Sequence, residues 1–181
     1  SVLFISLHQM PLYPGTGYPH EVGGGEGEGY TINVPLPPGA SDECYLAIFD
    51  EIIEPVAIDF KPDFIAISAG QDNHFTDPLT SLALTARGYA ELMLRAVSLA
   101  EKLCSGRLFA VLEGGYSVEK ALPYTNLAII AAMAGMDVSC IREPESYADE
   151  LKWRKKNVIG EVRATIQEVK RTHSKYWGCF V

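Results

Sequence analysis

Short apolar runs that stop at glycine alternate in this chain with longer stretches of helical periodicity, and that alternation restricts the fold more than any other property. Phe64 to Ala69 is apolar, partly β-branched and preceded by Pro62, so it reads as a buried strand ending at Gly70. Thr85 then caps a helix from Ala86 to about Cys104, whose stripe of Tyr89, Leu92, Met93, Ala96 and Leu99 is core packing. Arg107 to Leu112 is another short strand, closing in Glu113, Gly114, Gly115 and Tyr116. Strands joined by helices predict an α/β fold with a mostly parallel sheet and right-handed crossovers. In such sheets ligands collect beyond the carboxyl ends of the strands, so the polar ends at Asp72 and Tyr116 are expected to share one edge.

The remaining elements follow the same two periods. Val2 to Leu7 is strand-like from its second residue, as if the sequence began in mid-sheet, which points to missing N-terminal sequence. His8 to Gly29 is rich in glycine and proline and forms a long loop, in which Tyr13 and Tyr18 suit the walls of a substrate cleft. A strand over Tyr30 to Val34 and a turn over Pro35 to Ala40 lead to Ser41, an N-cap followed by Asp42 and Glu43. The helix after it buries Tyr45, Ile48, Phe49, Ile52, Ile53 and Val56, and Pro55 is expected to kink or shorten its end. A helix over Leu122 to Met133, a connector over Ser139 to Ser146 and a charged helical stretch from Asp149 to Trp177 complete the chain. In the last, Val158, Val162, Ile166 and Val169 form the apolar stripe.

At 181 residues and 48% hydrophobic content the chain can bury one sizeable core, so one domain is expected. Its net charge of -8 argues against broad attraction to nucleic acid or anionic lipid. No apolar run approaches the roughly 18 residues that span a bilayer. Cys44, Cys104, Cys140 and Cys179 form no CxxC pair, which favours reduced thiols and a cytoplasmic setting.

Candidate site residues have structural alternatives. Asp72 is placed to hold a ligand, but an Asp after a strand also caps helices or fixes Asx-turns. A lone His in a loop, such as His74, is ordinarily hydrogen-bonded or on the surface, and a Tyr after two glycines ordinarily packs. The cluster Gly23 to Gly29 precedes a strand and carries Glu26 and Glu28, so it is not a phosphate-binding loop.

The succession FISLHQ, YPGTG, GEGEGYTINVPLPPG, ISAGQDNHFTDPL, LTARGY and VLEGGY resembles the C-terminal half of the zinc-dependent histone deacetylase family over about Val2 to Tyr116. The resemblance implies a three-layer fold of the arginase/deacetylase type, here incomplete, and hydrolysis of the amide of acetyl-lysine or a similar acylated amine. Asp72 matches a zinc-binding Asp of the family, and Tyr116 matches the Tyr that polarises the substrate carbonyl. Tyr13 and Leu79 fall on acyl-tunnel walls, with Gly114 and Gly115 on the substrate side. Ser6 and Leu7 match part of a structural potassium site near the zinc, and Tyr30 matches a contributor to a second one.

The chemistry suits those roles. A zinc held by one His and two Asp keeps an open position, and a phenol beside it acts most strongly on a developing oxyanion. The family's Asp-x-His motif and histidine pair have no counterpart here, since His8, His20, His74 and His173 include neither. A single Asp cannot hold catalytic zinc, so the 181 residues alone are expected to be inactive. Either the missing N-terminal half of the domain supplies the other ligands, or the chain is a non-catalytic binding or regulatory module. An interrupted sheet also exposes apolar surface, so self-association as a homo-oligomer, or tight pairing with that half, is expected.

Overall fold

Four short strands carry the fold, and in the computed structural model, which describes residues 1–181, they pair as two separate parallel couples. β1 (Phe4–Gln9) pairs with β2 (Thr31–Leu36), and β3 (Ile65–Gly70) pairs with β4 (Leu108–Glu113). The expected parallel pairing is present, but one continuous sheet is not. A slot of about 1100 Å³ separates the couples, lined by every residue from Leu3 to Gln9 on one side and from Phe64 to Gly70 on the other.

Hydrogen bonding shows why the sheet is split. The N–H groups of Phe4 and Met10 donate to the carbonyls of Tyr30 and Leu36, so even-numbered residues of β1 serve β2. Alternation along a parallel ladder then turns the backbone of Ile5 and Leu7 toward the slot. On β3, Ile65 N–H donates to the Arg107 carbonyl, which turns the backbone of Ala66 and Ser68 the same way. Two unfinished edges face each other. Their carboxyl ends point in one direction: the Gln9 side chain accepts from Ser81 N–H at 2.5 Å, and neighbouring Thr80 donates to the Asp72 carbonyl beyond β3.

β2 runs on to Leu36, past the turn expected at Pro35, because its even-numbered residues serve β1 and Pro35 faces the free edge, where no N–H is needed. After it, α1 (Asp42–Ile48) passes through a π-helical turn at Phe49–Ile53 into α2 (Glu54–Phe60). Pro55 neither breaks nor shortens this helix. The wider turn before it, with Glu54 N–H on the Phe49 carbonyl, accommodates a residue that lacks a donor.

α3 (Ala86–Cys104) starts as expected, with the Thr85 hydroxyl accepting from Gly88 N–H at 3.1 Å, and buries Tyr89, Met93, Ala96 and Leu99. α4 (Leu122–Met133) has the expected bounds. The charged stretch is two helices, α5 (Ala148–Arg154) and α6 (Ile159–His173). Lys155 turns extended between them, and Lys156 N–H is bound by the Gly39 carbonyl at 3.1 Å. The α6 stripe of Val162, Ile166 and Val169 packs fully buried and α6 contacts β2.

The long loop after β1 is tied down by β1 and β2. His8 bonds the Gly17 carbonyl at 3.0 Å through Nε2, and Asn33 donates to the Glu21 carbonyl at 3.0 Å. All four cysteines are free thiols, with Cys44 and Cys104 buried. No helix is long and apolar enough to cross a membrane.

Candidate functional site

Asp72 stands two residues past the end of β3, and Tyr116 three residues past the end of β4. Because Gly70 pairs with Glu113 in the register of these adjacent parallel strands, both residues emerge at one edge, as expected. The loop after β4 passes against Asp72 at Gly114. A Cβ at Gly114 would lie 3.0 Å from the Asp72 carboxylate carbon, and the backbone there has φ +43°, so glycine lets the β4 loop pass against that carboxylate.

Asp72 is half-buried and is among the residues that line the slot, as are Ser6, Leu7 and Tyr13. Burial, and then the charge of Asp77, push its carboxyl above the ordinary carboxylate range. A carboxylate penalised in both ways is a group that a bound cation would relieve. No three His, Cys, Asp or Glu side chains lie together in a group able to hold a metal ion. The residues therefore fit one ligand of a zinc site, not a complete set.

The second carboxylate is used structurally. Asp77 is fully buried; one oxygen accepts from Leu79 N–H at 2.9 Å and the other from Tyr116 N–H at 2.7 Å. Beside it, Thr76 bonds Ser117 hydroxyl to hydroxyl at 2.8 Å. His74 is also fully buried, its ring held by Thr76 at 3.0 Å and by Glu143 at 2.8 Å, so the hydrogen-bonded reading of this His holds. Burial raises the Glu143 carboxyl, but its bonds from His74 and from Ala86 N–H outweigh that and leave it lowered. The Tyr116 side chain stays 54% exposed and Leu79 59% exposed, and neither lines the slot.

Other candidates lie apart from this edge. Tyr13 is 98% exposed on the slot rim. Ser6 bonds His8 within β1 at 2.9 Å. Tyr30 sits at the amino end of β2, its carbonyl taken by Phe4 N–H and its ring edge-on to Phe60 and Trp177. The Asp77 bonds to Leu79 and Tyr116 were not foreseen, although the Asp-Pro-Leu sequence carried a signal for the first, an Asx-turn two residues long.

The fold and this edge define an α/β protein that offers a desolvated carboxylate and a loop-borne phenol from neighbouring strand ends. Residues 1–133 match the family model of the histone deacetylase domain, and the chain belongs to that family. It is 72% identical over 180 residues to a "Probable deacetylase" of Archaeoglobus fulgidus, covering 99% of this chain and 50% of that protein. Among solved structures, the histone deacetylase Clr3 superposes with a TM-score of 0.81 at 30% identity, over 99% of this chain and 28% of that one. The HDA15 HD domain gives 0.78 at 31% identity, over 99% and 46%. These likenesses make the architecture that of a deacetylase fold, present in part. The chain spans half the length of the archaeal relative and 38% of the chloroplastic histone deacetylase 10 of rice.

Proposed function

We propose that this chain forms the C-terminal part of a zinc-dependent deacetylase that hydrolyses the amide of acetyl-lysine or another acylated amine, and that an upstream half completes it. The observation that carries this reading is the delivery of Asp72 and Tyr116 from adjacent parallel strands to one edge, with Gly114 against the Asp72 carboxylate. Asp72 would hold the zinc with ligands from the upstream half. When bound, zinc supplies Lewis-acid and water-activating chemistry.

The chain's own residues do the rest. The Tyr116 hydroxyl donates a hydrogen bond to the oxygen on which charge develops, an interaction strongest in the transition state. The flexible pair Gly114 and Gly115 lets the ring approach that oxygen. Leu79 and Tyr13 line the acyl chain's path and limit water there. Ser6, Leu7 and Tyr30 are assigned to potassium, and the setting is cytoplasmic. The net charge of -8 favours cationic substrates, such as peptides rich in lysine or acetylated polyamines.

The slot supports the need for an upstream half. The facing edges of β1 and β3 leave backbone groups that a further strand would pair, and apolar side chains that it would cover. Until then the isolated chain should self-associate, and light scattering that gives a monomer would overturn that expectation. Metal analysis tests the larger claim. The chain alone should take up no stoichiometric zinc, and the chain mixed with its upstream half should take up one per complex. No uptake by the mixture would remove the enzyme reading and leave a non-catalytic module.

A further inference from the structure

We propose that Asp77 is a positioning residue that sets where Tyr116 stands, and that it does so by tying the tyrosine's backbone to that of Leu79. The proposal rests on the reading of Tyr116 as the oxyanion donor. Its ground is geometric. Asp77 is the fully buried carboxylate whose two oxygens accept from two different loops, Leu79 N–H after β3 at 2.9 Å and Tyr116 N–H after β4 at 2.7 Å.

Tyr116 needs such a tie. Gly114 at φ +43° and Gly115 at φ +112° precede it, so the chain enters the tyrosine through two residues with wide conformational freedom. The next backbone bonds of this loop begin at the Ser117 carbonyl, which accepts from Ala121 and Leu122. Between the glycines and that turn, the rungs are Asp77 to Tyr116 N–H and Thr76 to the Ser117 hydroxyl. Both come from consecutive residues of the loop after β3. That loop is itself anchored, because His74 holds Thr76 and is held by Glu143, which also accepts from Ala86 N–H at the start of α3. The tyrosine's position is thus referred back to the rigid helix α3 through Asp77 and Thr76.

A buried charged acceptor is suited to this task. It forms short, strong bonds with backbone N–H groups, and with one oxygen for each donor it fixes their separation. An amide in its place keeps a single acceptor oxygen and turns an NH2 toward the other N–H. Asp77→Asn therefore leaves the loop's composition and size unchanged while breaking one of the two ties.

Amide hydrogen exchange read by NMR tests the tie without reference to activity. In Asp77→Asn the amide that faces the new NH2, Tyr116 or Leu79, should exchange at least about tenfold faster than in the parent, while amides in the middle of α3 keep their rates. Unchanged exchange at both Tyr116 and Leu79, or equal acceleration throughout α3, would overturn the proposal. Kinetics on the domain assembled with its upstream half test the consequence. Asp77→Asn should lower kcat by about tenfold to a hundredfold at unchanged zinc content, the rate equivalent of one charge-assisted hydrogen bond. In a Tyr116→Phe background the same substitution should change kcat by less than about threefold, because the group it positions is gone. Equal losses in both backgrounds would show that Asp77 acts on the fold at large and would overturn the proposal. Were Tyr116→Phe itself without effect on turnover, the oxyanion reading would fall, and the exchange rates would still decide whether the tie exists.

Discussion

β2 and β4 are similar in sequence, each six residues and largely apolar, yet they end in opposite environments. Ile32, Val34 and Leu36 of β2 are sealed at 0–1% exposure beneath α6, whereas Phe109, Val111 and Leu112 of β4 remain 49–55% exposed. The same contrast continues outward. α6 buries its stripe completely, while Leu127 and Ile130 of α4 stay 55% and 64% exposed. One side of the molecule is sealed by this chain's own helices, and the other, which includes the strand ends bearing Asp72 and Tyr116, keeps apolar residues exposed.

Truncation on the two sides should separate them most strongly. Ile32→Ala opens a cavity in the sealed core and should cost about 2–5 kcal/mol in urea unfolding of the chain. Val111→Ala on the open face should stay within about 0.5 kcal/mol in the same measurement. Similar losses at both positions would place β4 inside the self-association contact of the isolated chain. In the assembled domain, the open face should instead dominate function. There Tyr116→Phe should lower turnover by about 10²- to 10³-fold, with zinc content unchanged, as removal of one oxyanion donor does. An unchanged rate would withdraw Tyr116 from the chemistry.

What could be read from the sequence divides along the same line. β3, α3 and α4 were legible because their periods are local and strong, and the shared edge of Asp72 and Tyr116 followed from parallel pairing alone. The break between α5 and α6 was not, because it depends on Lys156 meeting Gly39, far away in sequence. The π turn before Pro55 was hidden for a related reason: a proline announces a missing donor but not how the helix absorbs it. An interrupted sheet was expected, but not where it splits, since pairing depends on which strands are present and not on the pattern within each. In the site, the link from His74 to Glu143 joins residues 69 apart, and only the folded loop brings them together. The periods placed Asp72 and Tyr116 at one edge, and only the family motifs suggested roles for them, zinc ligand and oxyanion donor, which the metal and turnover measurements test.

The smallest effect concerns the cost of holding Asp72 ready. Its carboxyl is raised in the folded chain, first by burial and then by the charge of Asp77, so folding favours the protonated form. The sign follows from linkage: such a group stabilises the fold below its unfolded pKa, and that contribution is lost as pH rises through the folded pKa. At neutral pH the ionised Asp72 therefore works against the fold of the isolated chain. Asp72→Asn removes the charge and should raise the urea midpoint at pH 7 slightly. The gap between variant and parent should close as pH falls below the ordinary carboxylate value of 3.8, where the parent becomes protonated both folded and unfolded. Binding a cation should reverse the order, because zinc in the assembled domain stabilises only the protein that can ligate it. A parent more stable than Asp72→Asn at neutral pH without metal would mean that this carboxylate is a structural cap, as an Asp after a strand often is, and not a ligand held in waiting.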